Sequence, residues 1–435
     1  MSNWTGLYPE ILDQIARRID LVFLAFGEVC KSWHKAASEL KFRKQAPWLM
    51  LADNKHGNDG NTGGFFVLGL QEIHKLHLPE AKGQKYVTAQ GRLVIVTKDR
   101  EMYLLHPFTR HEIKLPPRST LNDNTDTQYI SDYYAAVALS ANPSESSDFA
   151  LMVVFGVQAG LALWRAGDEA WMVIDTEGVA YSNVAYHKGK FYAVDYQSRV
   201  VVCNTHGPNP TVEDTVAVVP PRFFRCPDML YLVESSGRLL VVLRAGRVAD
   251  EDPNDPSEDL LLYETNAFEV YEIDLSDDGV SKEVTDLGNN SFLLGYNLAF
   301  SIDASVVPGF SPNCIYYTDG PPGGRGKDMG FYSLEDGISN ASSLVNPVLQ
   351  YLEKKPKETA NAPFQASLCG FHYEFLAYLS PRKQKEATIP GRQVEHSDAG
   401  LGVPTLEQSS HRWLSAKFGD NRLQINEAIT TEIEK

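Results

Sequence analysis

The chain is short of cysteine, of positive charge and of long apolar runs, and each shortage removes a class of protein. Its five cysteines (Cys30, Cys203, Cys226, Cys314 and Cys369) are scattered over 435 residues and never form a CxxC pair. A disulfide framework or a zinc site needs closer, paired spacing. The expectation is a reduced chain with no metal and no cofactor. Lysine and arginine total 40 against 56 acids, a formal charge of −16. A nucleic-acid binder needs a basic face to neutralise phosphates, so none is expected here. No stretch reaches the roughly 18 unbroken apolar residues of a membrane span. The start MSNWTGLYPE has no basic segment leading into an apolar run, so no signal peptide is expected. Together these absences predict a chain of the cytoplasm or nucleus, with no membrane and no nucleic-acid partner.

What is present divides into two textures. In residues 4–38, Pro9 suits the first turn of a helix, where its missing N–H is no loss. Ile11, Leu12, Ile15 and Ile19 then recur at helical spacing, opposite Asp13, Gln14, Arg17 and Arg18. After a break at Gly27 a second stripe runs through Phe26, Val29, Cys30, Trp33 and Ala37. Two amphipathic helices this short cannot bury each other's apolar faces. Two readings follow: the pair caps the domain that comes next, or another polypeptide covers it.

The order of residues adds a resemblance. Leu7-Tyr8-Pro9-Glu10-Ile11-Leu12, Ile15 and Val29-Cys30-Lys31-Ser32-Trp33 resemble an F-box: a Leu-Pro-x-Glu-type start, a Leu/Ile helix, then Val-Cys-basic-x-Trp. Tyr8 stands where that family often has a second proline, and Gly27-Glu28 where a basic residue is more usual. The resemblance implies docking onto the Skp-type adaptor of a cullin-RING ubiquitin ligase. It assigns the contacts to Leu7, Pro9, Glu10, Ile11, Leu12, Ile15, Val29, Cys30 and Trp33, within a domain spanning residues 1–42.

From Trp48 the chain changes to short apolar runs between Gly, Pro, Asn and Asp turns, the pattern of β-strands. Three segments repeat: QGRLVIVTKDREMYLLHP (90–107), KGKFYAVDYQSRVVVCN (188–204) and SGRLLVVLRAG (236–246). Gly91, Gly189 and Gly237 lie 98 and then 48 residues apart, as if one unit were skipped and the next were a direct neighbour. LALWRAGDEAWMVID (161–175) supplies strands for the skipped unit, and Pro-Pro at 116–117 and 220–221 ends two units alike. The period matches propeller blades. About six units fit between Trp48 and Asp336, with five or seven as alternatives, and a pair of β-sandwiches is the rival architecture. The expected fold is therefore mainly β with a small α N-terminal domain: F-box helices followed by a β-propeller of about six blades.

NCIYYTDGPPGGRGKDMGFYSLEDGIS (313–339) resembles the signature of plant F-box proteins with a C-terminal kelch-like propeller of unknown function. That likeness implies a propeller over 48–380 and leaves 381–435 as a polar, mixed-charge tail read as disordered. Residues 364–380 (FQASLCGFHYEFLAYLS) are the candidate closing strand of the ring.

In GPPGGRGKD (320–328) Asp328 follows Gly-Lys where a phosphate loop needs Ser or Thr, so a Gly-Pro turn between strands is the better account. DEDPNDPSED (250–259) carries six acids but prolines break the calcium-loop pattern, leaving a solvated insertion. His74 and His77 fall three apart on an apparent strand and so face opposite sides. No nucleophile or zinc-protease motif is present. Arg222, Phe223, Phe224 and Arg225 in RFFRCP are candidate client anchors, because Arg and Phe are common at interfaces; the same phenylalanines also suit a core. Two functions follow: a non-catalytic substrate-recognition subunit of an SCF ubiquitin ligase, or a propeller hydrolase or carbohydrate binder with a helical cap.

Overall fold

The computed structural model describes residues 47–50, 62–67, 72–81, 84–97, 99–107, 110–121, 134–219, 229–248, 263–275, 281–295, 298–307, 309–318, 328–340 and 374–376. These form twenty-five strands. The first sheet holds β1 (Trp48–Met50), β2 (Thr62–Val67) and β3 (Glu72–His77). The next is β4 (Lys85–Ala89), β5 (Arg92–Val96), β6 (Met102–Leu105) and β7 (Glu112–Leu115). It is followed by β8 (Tyr134–Leu139), β9 (Ala150–Phe155), β10 (Gly160–Arg165) and β11 (Met172–Ile174). A fourth contains β12 (Tyr181–His187), β13 (Lys190–Asp195), β14 (Arg199–Asn204) and β15 (Thr211–Val218). A fifth contains β16 (Met229–Ser235), β17 (Arg238–Val248), β18 (Tyr263–Ile273) and β19 (Ser281–Glu283). The last comprises β20 (Asn290–Leu294), β21 (Ala299–Asp303), β22 (Cys314–Tyr317), β23 (Gly330–Ser333) and β24 (Ile338–Asn340). The final strand, β25 (Glu374–Leu376), returns to the first sheet and pairs antiparallel with β1, Leu49 opposite Phe375.

Side-chain alternation explains how the sheets meet. In β5 every residue is buried, and successive residues point to opposite neighbours. Leu93 and Ile95 pack with Trp48, Met50 and Phe65 of the first sheet, whereas Val94 and Val96 pack with Val137, Leu151 and Val153 of the third. β9 and β17 repeat the arrangement: Leu239, Val241 and Leu243 face the fourth sheet, Leu240 and Val242 the last. A strand covered on both faces reads as a continuous apolar run, which is why RLVIV and RLLVVL lack polar alternation. The apolar clusters pass from sheet to sheet and end where they began, with Leu49 and Phe66 against Leu293, Phe300 and Tyr316. Sheets stacked face to face around a closed circuit make a β-propeller.

The repeated glycines acquire a common role. Gln90-Gly91, Lys188-Gly189 and Ser236-Gly237 each have positive φ at both residues (45 and 85°, 45 and 84°, 52 and 80°). That is the type I′ hairpin, whose twist matches the strands it joins. Each turn links the innermost strand of a sheet to the second, in the second, fourth and fifth sheets. The 98- and 48-residue intervals thus skip one sheet and then do not, as the repeat predicts. LALWRAGDEAWMVID supplies β10 and β11 of the skipped sheet.

The last sheet departs from the pattern. Its spatial order is β21-β20-β22-β23-β24, with β20 parallel to β22 and an extra outer strand. Elsewhere in the second to fifth sheets the strands follow in chain order.

Candidate functional site

Strand direction gives the ring two unlike faces. The innermost strands β25, β4, β8, β12, β16 and β21 neighbour one another around the axis. β4, β12 and β16 end on the face that carries the glycine turns. Strand ends bordering residues 51–61, 122–133, 220–228, 249–262 and 319–327 lie on the other, hereafter the connection face. β1, second in its sheet as β5 is in its own, begins on the glycine face, so residues 1–46 join the ring there.

On the connection face a buried ionic cluster ties the fifth sheet to the last. Arg244, fully buried near the end of β17, donates from Nε to Thr265 Oγ1 (2.7 Å) and from Nη1 to the Thr318 carbonyl (2.8 Å). Its Nη2 donates to Asp328 Oδ2 at 2.8 Å. Asp328 in turn accepts from the Thr265 amide through Oδ1 (2.9 Å) and from Thr265 Oγ1 through Oδ2 (2.7 Å). The Tyr317 ring lies 4.9 Å from the guanidinium carbon, in reach of a cation–π contact. The planar fork of arginine suits this multiply bonded geometry as lysine would not. The strands it joins border both 249–262, which contains the acidic run, and 319–327, which contains the glycine-rich stretch. Nothing in the repeat marks Arg244; the available signal is a lone charge inside the apolar period of β17.

Nearer the axis the inner strands are clamped by neutral polar groups. Asn183 Oδ1 accepts from the Leu232 amide (3.1 Å), and Ser182 Oγ donates to the Leu230 carbonyl (3.0 Å). Ser235 and Ser301 hydroxyls meet at 2.8 Å. Such bonds satisfy polar groups that the packed ring removes from water. Tyr196 sits in the turn between β13 and β14 and shares a hydrogen bond with Ser182; burial of its hydroxyl pushes its pKa up to about 12. With Val157 and Val218 it is among the large apolar side chains left exposed. All three lie at connection-face ends of the third and fourth sheets.

Burial shifts four described side chains with acid–base or nucleophilic potential. Burial pushes the Cys203 thiol up to about 12 and raises that of Cys314, which suppresses the thiolate needed for attack. Burial, then Arg92 and His111, lowers His106 to about 3; burial and then Lys188 lower His187. Among the described residues no group of three or more His, Cys, Asp or Glu is placed to hold a metal ion. His77 lies on β3 with His74 three positions before it, as the strand reading expects.

The nine residues expected to contact an adaptor, Leu7, Pro9, Glu10, Ile11, Leu12, Ile15, Val29, Cys30 and Trp33, lie outside the described residues, as do the segments expected to form the N-terminal helices. Arg222, Phe223, Phe224 and Arg225 also lie outside them. Their flanks are described: Val219 is buried behind β15, and Met229 opens the innermost strand β16 on the connection face.

Comparison with known proteins places this geometry. The Arabidopsis thaliana F-box protein SKIP23 is 25% identical over 388 residues, covering 78% of this chain and 90% of that one. A second Arabidopsis F-box protein is 22% identical, over 73% of this chain and 86% of its own length. An Arabidopsis F-box/kelch-repeat protein is 25% identical over 52% of this chain and 61% of its own. The model of the KIB1-4 beta-propeller family matches residues 65–333, from the middle of β2 to the end of β23. That span holds most of the chain and nearly all of the ring, so the protein belongs to the KIB1-4 beta-propeller family.

Proposed function

We propose that this chain is the non-catalytic substrate-recognition subunit of an SCF-type ubiquitin ligase. Residues 1–42 dock a Skp-type adaptor through Leu7, Pro9, Glu10, Ile11, Leu12, Ile15, Val29, Cys30 and Trp33. Through that adaptor the chain reaches cullin and RING subunits in the cytoplasm or nucleus. Residues 48–380 form a six-bladed ring that holds a client protein, and 381–435 are a polar tail. The single observation that carries this reading is the combination of an F-box-like N-terminus with a propeller whose relatives are named F-box proteins.

The chemistry is proximity. A client held on the ring sees a charged conjugating enzyme at high effective concentration, and no bond is made or broken on this chain. The raised thiols of Cys203 and Cys314 fit that division of labour. Client contact is assigned to the connection face, where the segment carrying Arg222, Phe223, Phe224 and Arg225 leaves β15 beside exposed Val218 and Tyr196.

Reconstitution tests the reading. Mixed with adaptor, cullin, RING protein and charged conjugating enzyme, the full chain is expected to assemble and to acquire ubiquitin only through reductant-stable bonds. Deletion of residues 1–42 is expected to abolish both. A thiol-labile ubiquitin adduct on this chain would contradict the non-catalytic role.

A further inference from the structure

Ser144 stands between solvent and a buried cation. It belongs to residues 140–149, which link β8 to β9 at the glycine-turn face of the third sheet. Asn142 gathers that link into a compact turn. Its carbonyl accepts from the Glu145 and Ser146 amides (2.9 and 3.1 Å), and its Oδ1 from the Ser144 amide (3.0 Å). Ser146 Oγ accepts from the Asp148 amide (3.1 Å) and donates to the Asp148 carbonyl (2.9 Å). The Ser144 side chain instead reaches the second sheet, where its Oγ accepts from Arg92 Nη2 at the start of β5. Ser144 is exposed, whereas Arg92 is only 2% exposed and close enough to His106 for their charges to interact.

A hydroxyl uses little of what a guanidinium offers. A phosphate on the same oxygen would bring about 1.5–2 negative charges and three strong acceptors. The planar fork of arginine matches phosphate with paired bonds, and such charge-assisted bonds are roughly twice as strong as neutral ones. Arg92 sits in a strand whose five residues are all buried, so its stem is held before any phosphate arrives. Little side-chain freedom remains to be lost on binding. The turn's own bonds are internal, so it can shift as a unit and seat the larger group from its solvent side. Thr265 gives the contrast: it too accepts from an arginine, but at 5% exposure it is shut away from any modifying enzyme. Glu145 and Asp148, both exposed, follow Ser144 and suit a kinase whose substrate groove is basic.

We propose that Ser144 is a phosphorylation site whose phosphate is clamped by Arg92, locking the β8–β9 turn to β5 across the boundary between the second and third sheets. In the transfer, Ser144 Oγ bonds to the γ-phosphorus of ATP held by a serine kinase. The bond from that phosphorus to the β,γ-bridging oxygen breaks, ADP leaves, and the hydroxyl proton passes to the base of the kinase. A neutral bond between two sheets becomes a charge-assisted pair. The inference does not depend on what the ring or the N-terminal segment binds.

The full chain is made with phosphoserine encoded at position 144 and, as a control on the same turn, at exposed Ser147. Ser144→phosphoserine is expected to lower the unfolding equilibrium constant about tenfold, read as a higher urea midpoint at unchanged slope. Ser147→phosphoserine is expected to leave it within about twofold. With Arg92→Gln, the gain from phosphate at 144 is expected to vanish. Loss of a buried arginine can unfold the chain by itself, so a second readout uses the native Arg92: a soluble phosphatase is expected to release phosphate from 144 at least about tenfold more slowly than from 147. The unmodified chain, treated with an acid-directed serine kinase and ATP, is expected to carry phosphate at Ser144 by mass spectrometry. A phosphate at 144 that leaves the urea midpoint unchanged or lower, or that is released as fast as one at 147, would overturn the clamp. A kinase-treated chain with no phosphate at Ser144 would overturn the site.

Discussion

Replacing Arg244 with methionine alone is expected to lower unfolding free energy by ~3–5 kcal/mol, the range for removing one partner of a buried pair. The stem of methionine fills much of the space, so the loss comes from what remains behind. The Asp328 carboxylate loses the Nη2 bond, and the Thr318 carbonyl loses the Nη1 bond. The two bonds from Thr265 remain on the carboxylate. Adding Asp328→Leu to Arg244→Met removes that carboxylate and is expected to recover more than half of the deficit, because well-packed apolar replacements of buried pairs are often neutral. Urea unfolding of the single and double variants measures both values. A double variant no more stable than Arg244→Met would show that the cluster contributes through shape rather than charge. The location also has a functional consequence: these bonds set the spacing of the strand ends that border 249–262 and 319–327, so the same variants report on anything that binds both segments.

The second large effect is a loss of stability in acid that depends on His106. Burial is the first cause of its depression to about 3, followed by Arg92 and His111. The folded chain therefore keeps a neutral imidazole while the unfolded chain takes up a proton below about 6.5. The contribution of this group is complete above pH 6.5 and is lost as the pH falls toward 3. Over that window the folded state gives up about 1.4 kcal/mol per pH unit, up to about 5 kcal/mol in all. His187 is depressed too, and acts with the same sign. His106→Gln, which cannot take the proton, is expected to flatten the stability profile between pH 6.5 and 4 relative to the native chain while leaving the slope above 7 unchanged. Parallel profiles for the two proteins would show that His106 is not the group responsible.

Legibility followed the physics of each feature. The glycine turns were readable because a type I′ hairpin demands positive φ at two successive residues, and only a few residue types tolerate it. Gly91, Gly189 and Gly237 therefore leave a spaced mark in the sequence. The doubly buried strands were readable for a similar reason, since RLVIV or RLLVVL cannot be half-exposed. β25 falls inside the 364–380 window, an apolar aromatic stretch set in polar surroundings. The Arg244 cluster was not readable. Arg244 and Asp328 are 84 residues apart, and Asp328 first presents itself as the residue that spoils a phosphate-loop pattern. Partners of that kind are chosen by neighbouring sheets, and no local period records them. The exchange of order between β20 and β21 left no trace either, because both are short apolar strands and a reversal alters neither composition nor spacing. The candidate adaptor contacts rest on the unlike residues Leu7, Pro9, Val29, Cys30 and Trp33 occurring in one order, an argument from sequence alone.

The most direct test of the central claim is the affinity of the full chain for a purified Skp-type adaptor, measured beside a variant carrying Leu7→Ala, Pro9→Ala and Ile11→Ala. Burial of each such side chain contributes ~1.5–3 kcal/mol, so the account predicts saturable binding by the native chain and at least a ~100-fold loss in the variant. Equal affinity of the two, or no binding by a folded native chain, would contradict it.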